Sequence, residues 1–156
     1  MKIIEVSTQR TPAIPSLAIA KGLRAAHVGS IGSNFKKFFL DIVEVKKYSA
    51  ALTVYQLEGT SKDRIFDKDI IKFLGNRAVV SLSRVCKLLQ KQALGEKGVL
   101  VCNGAGNITY ALGLDWNVWA IYFFWSSDRV GWTIEAFKLE DSLGWSAGHR
   151  VLARTF

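Results

Sequence analysis

The spacing of apolar positions changes once along this chain, near residue 98. Before that point four stretches repeat at helical spacing. In "SLAIAKGLRAA" Ser16 can cap a helix that Gly22 weakens. From Asn34 onward, Phe35, Phe38, Phe39 and Ile42 fall at i, i+3, i+4 and i+7, giving one apolar face opposite Lys36 and Lys37. Such a face covers a domain core or lies on a membrane. "DKDIIKFLG" starts at Asp67 and stops at Gly75, and "SLSRVCKLLQKQALG" starts at Ser81 or Ser83 and stops at Gly95. In the latter, Leu82, Val85, Cys86, Leu88 and Leu89 form the expected buried stripe, with Cys86 as a small core residue. The strands expected in this half are residues 2–7 and "ALTVYQL"; "GSIGS" reads as a flexible connection.

Beyond residue 98 the period is two. "VLVCN" and "NITYAL" flank Asn103-Gly104, a hairpin dipeptide, and "NVWAIYFFW", "WTIEAFKL" and "HRVLAR" follow. The pattern predicts an α+β fold with a helical N-terminal half packed on a C-terminal antiparallel β-meander of about five strands. It predicts one domain over 1–156, helix-rich and basic over 1–97 and aromatic over 98–156. A loop of residues 126–131 pairs Trp125 with Trp132, Phe123 with Ile134 and Ile121 with Ala136 on one wholly apolar face. The same register pairs Phe124 with Thr133, Tyr122 with Glu135 and Ala120 with Phe137 on the other. Burying an unpaired carboxylate is costly, so Glu135 marks the second face as the solvent side. Tyr122, Phe124 and Phe137 then form an exposed aromatic patch, the composition of a recognition surface. The competing arrangement covers that face with an N-terminal helix and pairs Glu135 at the rim.

Charge sharpens this division. Of the formal +8, residues 1–98 carry 17 Lys/Arg against 8 Asp/Glu, while residues 99–156 carry 4 against 5 and all five tryptophans. Clustered cations suit nucleic acid or an anionic membrane, whereas isolated pairs such as Lys46-Lys47 also fit a solvated surface. If Lys21, Arg24, Lys36, Lys37, Lys46 and Lys47 converge with Arg64, Lys72, Arg84, Lys87 and Lys91, they would contact phosphates without reading sequence. Two cysteines, Cys86 and Cys102, make no disulfide framework and have no zinc spacing, which points to a reducing compartment. "MKIIEVSTQR" is no secretory signal, and no apolar run nears the roughly 20 residues of a membrane span, so a soluble cytoplasmic protein is expected.

Candidate chemistry is sparse. Gly104 and Gly106 begin a dinucleotide-type loop, but Thr109 stands in the third glycine's place and a strand follows instead of a helix. Cys102, His149 and Asp115 are the residue types of a cysteine hydrolase, with nothing in the sequence to bring them together. Asp67 and Asp69 at a helix start are explained by the helix dipole without a cation. The expectation is a protein without catalytic residues, metal or cofactor.

The blocks "LEGTSKDRIF", "GNRAVVSL", "LLQKQALGEKGVLVCNG" and "GWTIEAFKLEDSLGWSAGHRVLAR" resemble a family of small uncharacterised bacterial proteins from about residue 10 onward. The Trp/Gly-bounded C-terminal segment resembles the variable display region of retroelement-diversified proteins. That resemblance implies ligand recognition by changeable side chains on a fixed sheet. The display positions would be Trp119, Tyr122, Phe124, Thr133, Glu135, Phe137 and His149, framed by Trp125, Trp132, Trp145 and Gly148. It also implies a C-type-lectin-like fold, with which Trp145, Gly148, Arg150 and Arg154 are compatible. The function expected is therefore non-enzymatic binding of a protein or other macromolecular partner through the aromatic sheet face. Nucleic-acid binding by the basic half is the alternative, and a cysteine-dependent hydrolase the remote one.

Overall fold

Strands from both halves of the chain share one mixed sheet in the computed structural model, which describes residues 1–128, 131–141 and 143–155. The first half supplies β1 (Lys2–Thr11), β2 (Leu17–Ala18), α1 (Ile19–Ala25), β3 (Val28–Ile31), α2 (Ser33–Phe38), β4 (Val43–Glu44), β5 (Ala50–Glu58), α3 (Asp67–Leu74) and α4 (Leu82–Lys91). The second half supplies β6 (Asn107–Leu112), β7 (Val118–Ser126), β8 (Gly131–Lys138) and β9 (Arg150–Arg154). The seven-stranded sheet has the order β1-β5-β9-β6-β7-β8-β3, while β2 and β4 pair separately. Neighbours are antiparallel except β9 beside β6 and β3 beside β8.

This overturns the expected helical half on a five-stranded meander. The α+β fold is mostly sheet, three of its seven main strands come from the first half, and none of the four described α-helices exceeds ten residues. Nor do the C-terminal strands follow one another in space, because β9 inserts between β5 and β6. The "VLVCN" arm of the expected hairpin is not a strand. Its backbone is satisfied by two side-chain amides: Gln92 brackets Leu100, donating Nε2–H to its carbonyl at 3.0 Å and accepting its N–H at 2.9 Å. Asn107 does the same for Val101, at 3.2 and 3.0 Å. Buried backbone groups need partners, and amide side chains can supply them in place of a ladder. Gly104 does take a left-handed conformation, with φ +96°.

The β7–β8 register is the expected one, pair for pair, from Ala120 with Phe137 to Trp125 with Trp132. It extends one pair further at each end, to Trp119 with Lys138 and Ser126 with Gly131; of the loop residues, 129 and 130 lie outside the described residues. On one face α1, α2 and α4 bury Leu52, Val54, Ile121, Phe123, Trp132 and Ile134. On the other, α3 packs Ile70 and Leu74 against Tyr55, Ile108, Tyr110, Ala120 and Val151. The α4 stripe is buried as expected, and burial pushes the Cys86 thiol up to about 12. Ser81 stands at the α4 N-terminus without capping it. The Glu44 carboxylate reaches across from β4 to accept from Leu82 N–H at 2.9 Å, Ser83 N–H at 3.0 Å and the Ser81 hydroxyl. A carboxylate there meets free N–H groups and the positive dipole end together. Asn34 likewise does not cap α2; its amide donates to the Ala136 carbonyl at 3.3 Å and ties the helix to β8. No helix among the described residues is long and apolar enough to cross a membrane.

Candidate functional site: an aromatic hollow beside the third helix

On the α3 side of the sheet, Tyr122 from β7 and Phe137 from β8 face the segment 143–149, which brings Trp145 and His149 across from Arg64. Together with Leu143 they line a hollow of about 450 Å³. The rings are in mutual contact: Tyr122 lies 5.1 Å from Trp145 and 5.8 Å from His149 between centroids, and Trp145 lies 5.9 Å from His149 and 6.4 Å from Phe137. Phe124 continues the row 5.3 Å from Tyr122.

Backbone and carboxylate chemistry hold the far wall. Trp145 and Ile65 exchange both backbone hydrogen bonds, at 2.8 and 3.0 Å, and Gly148 N–H donates to the Leu57 carbonyl at 2.8 Å. Gly144 and Gly148 have φ +84° and +96°, which lets the segment turn twice without the steric cost that other residues carry. Asp67, fully buried at the start of α3, accepts from the Trp145 indole N–H at 2.6 Å and the Tyr110 hydroxyl at 2.7 Å through Oδ1. Its Oδ2 has no hydrogen-bond partner among the described residues. Burial first, and the Asp67 charge second, push the Tyr110 phenol well above its usual range. The site's indole is thus fixed by a short hydrogen bond to a buried carboxyl oxygen.

Electrostatics inside the hollow favour neutral groups. Burial pulls the His149 imidazole below its usual range, the Ser146 carbonyl partly offsets this, and Arg64 adds to it. His149 Nδ1 lies 3.0 Å from the Ser146 carbonyl, so Nδ1–H is the donor and Nε2 is left to face the Tyr122 hydroxyl at 3.4 Å. Burial also raises the Tyr122 phenol.

Of the seven expected display residues, Tyr122, Phe137 and His149 meet in this hollow and Phe124 adjoins it. Trp119 is a correction: by strand parity it faces the opposite core, 2% exposed and stacked on Phe38 with centroids 4.7 Å apart. Thr133 is buried too, on β8 where Ser30 of β3 pairs with it. Glu135 is half-buried over Gly32, where a β-carbon would run into its carboxylate. Neither a free display face nor a helical cover describes what surrounds it. The sequence reading places Arg64 only among the phosphate-contacting cations, and Asp67 escaped it as a site residue, since capping already explained Asp67 and its partners lie 43 and 78 positions away.

The hydrolase residues are not brought together. Cys102 accepts from the Gln92 amide at 3.6 Å and lies in a separate hollow beside Arg150, with burial raising its thiol. Asp115 binds the Trp119 indole at 3.1 Å in the β6–β7 turn, a full strand length from His149. Of the eleven expected phosphate-contacting cations, Lys72 on α3 lies across the sheet from α1, α2 and α4, which carry Lys21, Arg24, Lys36, Lys37, Arg84, Lys87 and Lys91. No protein-family model, curated protein or solved structure matches the chain.

Proposed function

We propose that the protein is a non-enzymatic binding protein that takes a planar or aromatic group of a macromolecular partner into the hollow between Tyr122, Phe137, Trp145 and His149. The observation that carries this reading is the anchored wall: a half-exposed indole held by buried Asp67 and packed against a half-exposed phenol, the two together lining an open hollow of about 450 Å³. Rigid aromatic walls lose little entropy on binding, and an aromatic guest gains about 0.5–1.5 kcal/mol per ring pair beyond area burial. Arg64 at the mouth suits an acceptor on the guest.

The test is a titration of isotope-labelled protein with N-acetyltryptophanamide and, separately, N-acetylleucinamide, following the Trp145 indole resonance. The reading expects saturable shifts with the aromatic probe, much weaker ones with the aliphatic probe, and loss of both in Tyr122→Ala. No saturable shift, or one that Tyr122→Ala leaves unchanged, would overturn it.

A further inference from the structure

Strand directions bring the ends of β1, β3, β6, β8 and β9 and the starts of β5 and β7 to one end of the sheet, away from the Trp145–His149 segment. The segments gathered there expose large apolar side chains: Val43 in β4, Val45 and Tyr48 between β4 and β5, and Leu114 and Trp116 in the β6–β7 turn. The turn docks on α2 through Leu114 N–H to the Phe38 carbonyl at 2.9 Å, and β4 follows the same helix in the chain.

Trp116 is the sharpest feature. It is 83% exposed on a backbone with φ +64°, a conformation that residues with a β-carbon avoid. The turn around it is ordered: Gly113 and Asn117 close it at 2.9 Å, and Asp115 ties it to the Trp119 indole. A fixed turn therefore projects an indole that the fold itself does not use.

Lysines surround these tips. Lys36 and Lys37 end α2, Lys46 and Lys47 lead into β5, and Lys138 ends β8. Of the acids in the same segments, Glu44 is engaged by the α4 N-terminus and Asp115 by Trp119, while Asp41 and Glu140 stay exposed.

We propose that this end of the sheet docks on an anionic lipid surface, with Trp116, Leu114, Val43 and Val45 entering the interface and the lysines meeting headgroup phosphates. Lysine is depleted in protein–protein interfaces and enriched around interfacial membrane anchors, and tryptophan settles at headgroup level, so the mixture favours lipid over a protein partner. The site is independent of the aromatic hollow.

Flotation of the full chain with phosphatidylcholine vesicles, and with vesicles containing about one-third phosphatidylglycerol, tests this. Binding is expected to the anionic vesicles alone and to weaken with added salt. Trp116→Asn removes the indole while tolerating the left-handed backbone, and should lower partitioning about tenfold. Lys36→Gln and Lys37→Gln should lower it about fivefold each. Absence of flotation with anionic vesicles, equal flotation with neutral ones, or binding that Trp116→Asn leaves unchanged would each overturn the proposal.

Discussion

One hairpin, β7–β8, presents two faces in a single register, and the molecule treats them differently. Ile121, Phe123, Trp132 and Ile134 are sealed beneath three helices, whereas Tyr122 and Phe137 pack against the segment 143–149 and remain partly open. Aromatic content does not separate the faces, since each has several rings. The cover does. Seven strands about 4.8 Å apart make a sheet roughly 30 Å wide, and a helix covers about 10 Å of it. Three helices nearly tile one face; α3 alone covers the middle strands of the other, where Tyr55, Ile108, Tyr110 and Val151 lie, and leaves the β7–β8 side to a loop. Exposure of the aromatic row follows from a shortage of covering elements, and a hollow forms where the loop bridges the gap.

Paired truncations test that contrast directly. Trp132→Ala should cost about 3–5 kcal/mol in urea unfolding, because it empties a fully buried site among packed helices. Phe137→Ala, at a position 39% exposed on the opposite face, should cost less than about 1 kcal/mol. Equal costs would mean that the faces are equally packed and the comparison is wrong. Between these extremes, Asp67→Ala should cost about 2–3 kcal/mol, since it leaves the Tyr110 hydroxyl and the Trp145 indole N–H buried without an acceptor. Asp67→Asn keeps one acceptor oxygen and should cost clearly less. A change in near-ultraviolet circular dichroism should accompany Asp67→Ala if Trp145 depends on that bond for its place. An unaltered spectrum would show that the backbone bridge to Ile65 suffices.

Much of the β7–β8 hairpin was legible because pairing parity is a local property: once the loop is placed, each side chain's face follows. The core of α4 was legible for the same reason, as Leu82, Val85, Leu88 and Leu89 show. Sheet order was not, because which strands adjoin depends on contacts across the whole chain. Nothing in "HRVLAR" says that it will lie between β5 and β6, and nothing in "VGSI" says that β3 will run parallel beside β8. The caps were misread by the same limit: Ser81 looks like a cap in sequence, but a carboxylate 37 residues earlier takes the position. For the site, the rings that belong to one hairpin were found, while Arg64, Asp67 and the anchoring role of Trp145 required the fold.

The subtlest difference between the faces is in proton binding, and His149 reports it. Its folded-state pKa lies below the ordinary 6.5 because burial disfavours the imidazolium, helped by Arg64 and opposed by the Ser146 carbonyl. In the unfolded chain the ring protonates near 6.5, so as pH falls through that value the unfolded state binds more protons than the folded one. Stability attributable to His149 is therefore complete above about pH 6.5 and declines between there and the lower folded pKa. His149→Gln should flatten the slope of stability against pH in that window while leaving the slope above it unchanged. An imidazole titration followed by nuclear magnetic resonance should place the midpoint below 6.5. A midpoint at or above 6.5 would mean that the ring is fully solvated, that the wall formed by the segment 143–149 does not exclude water, and that the two faces differ less than their packing indicates.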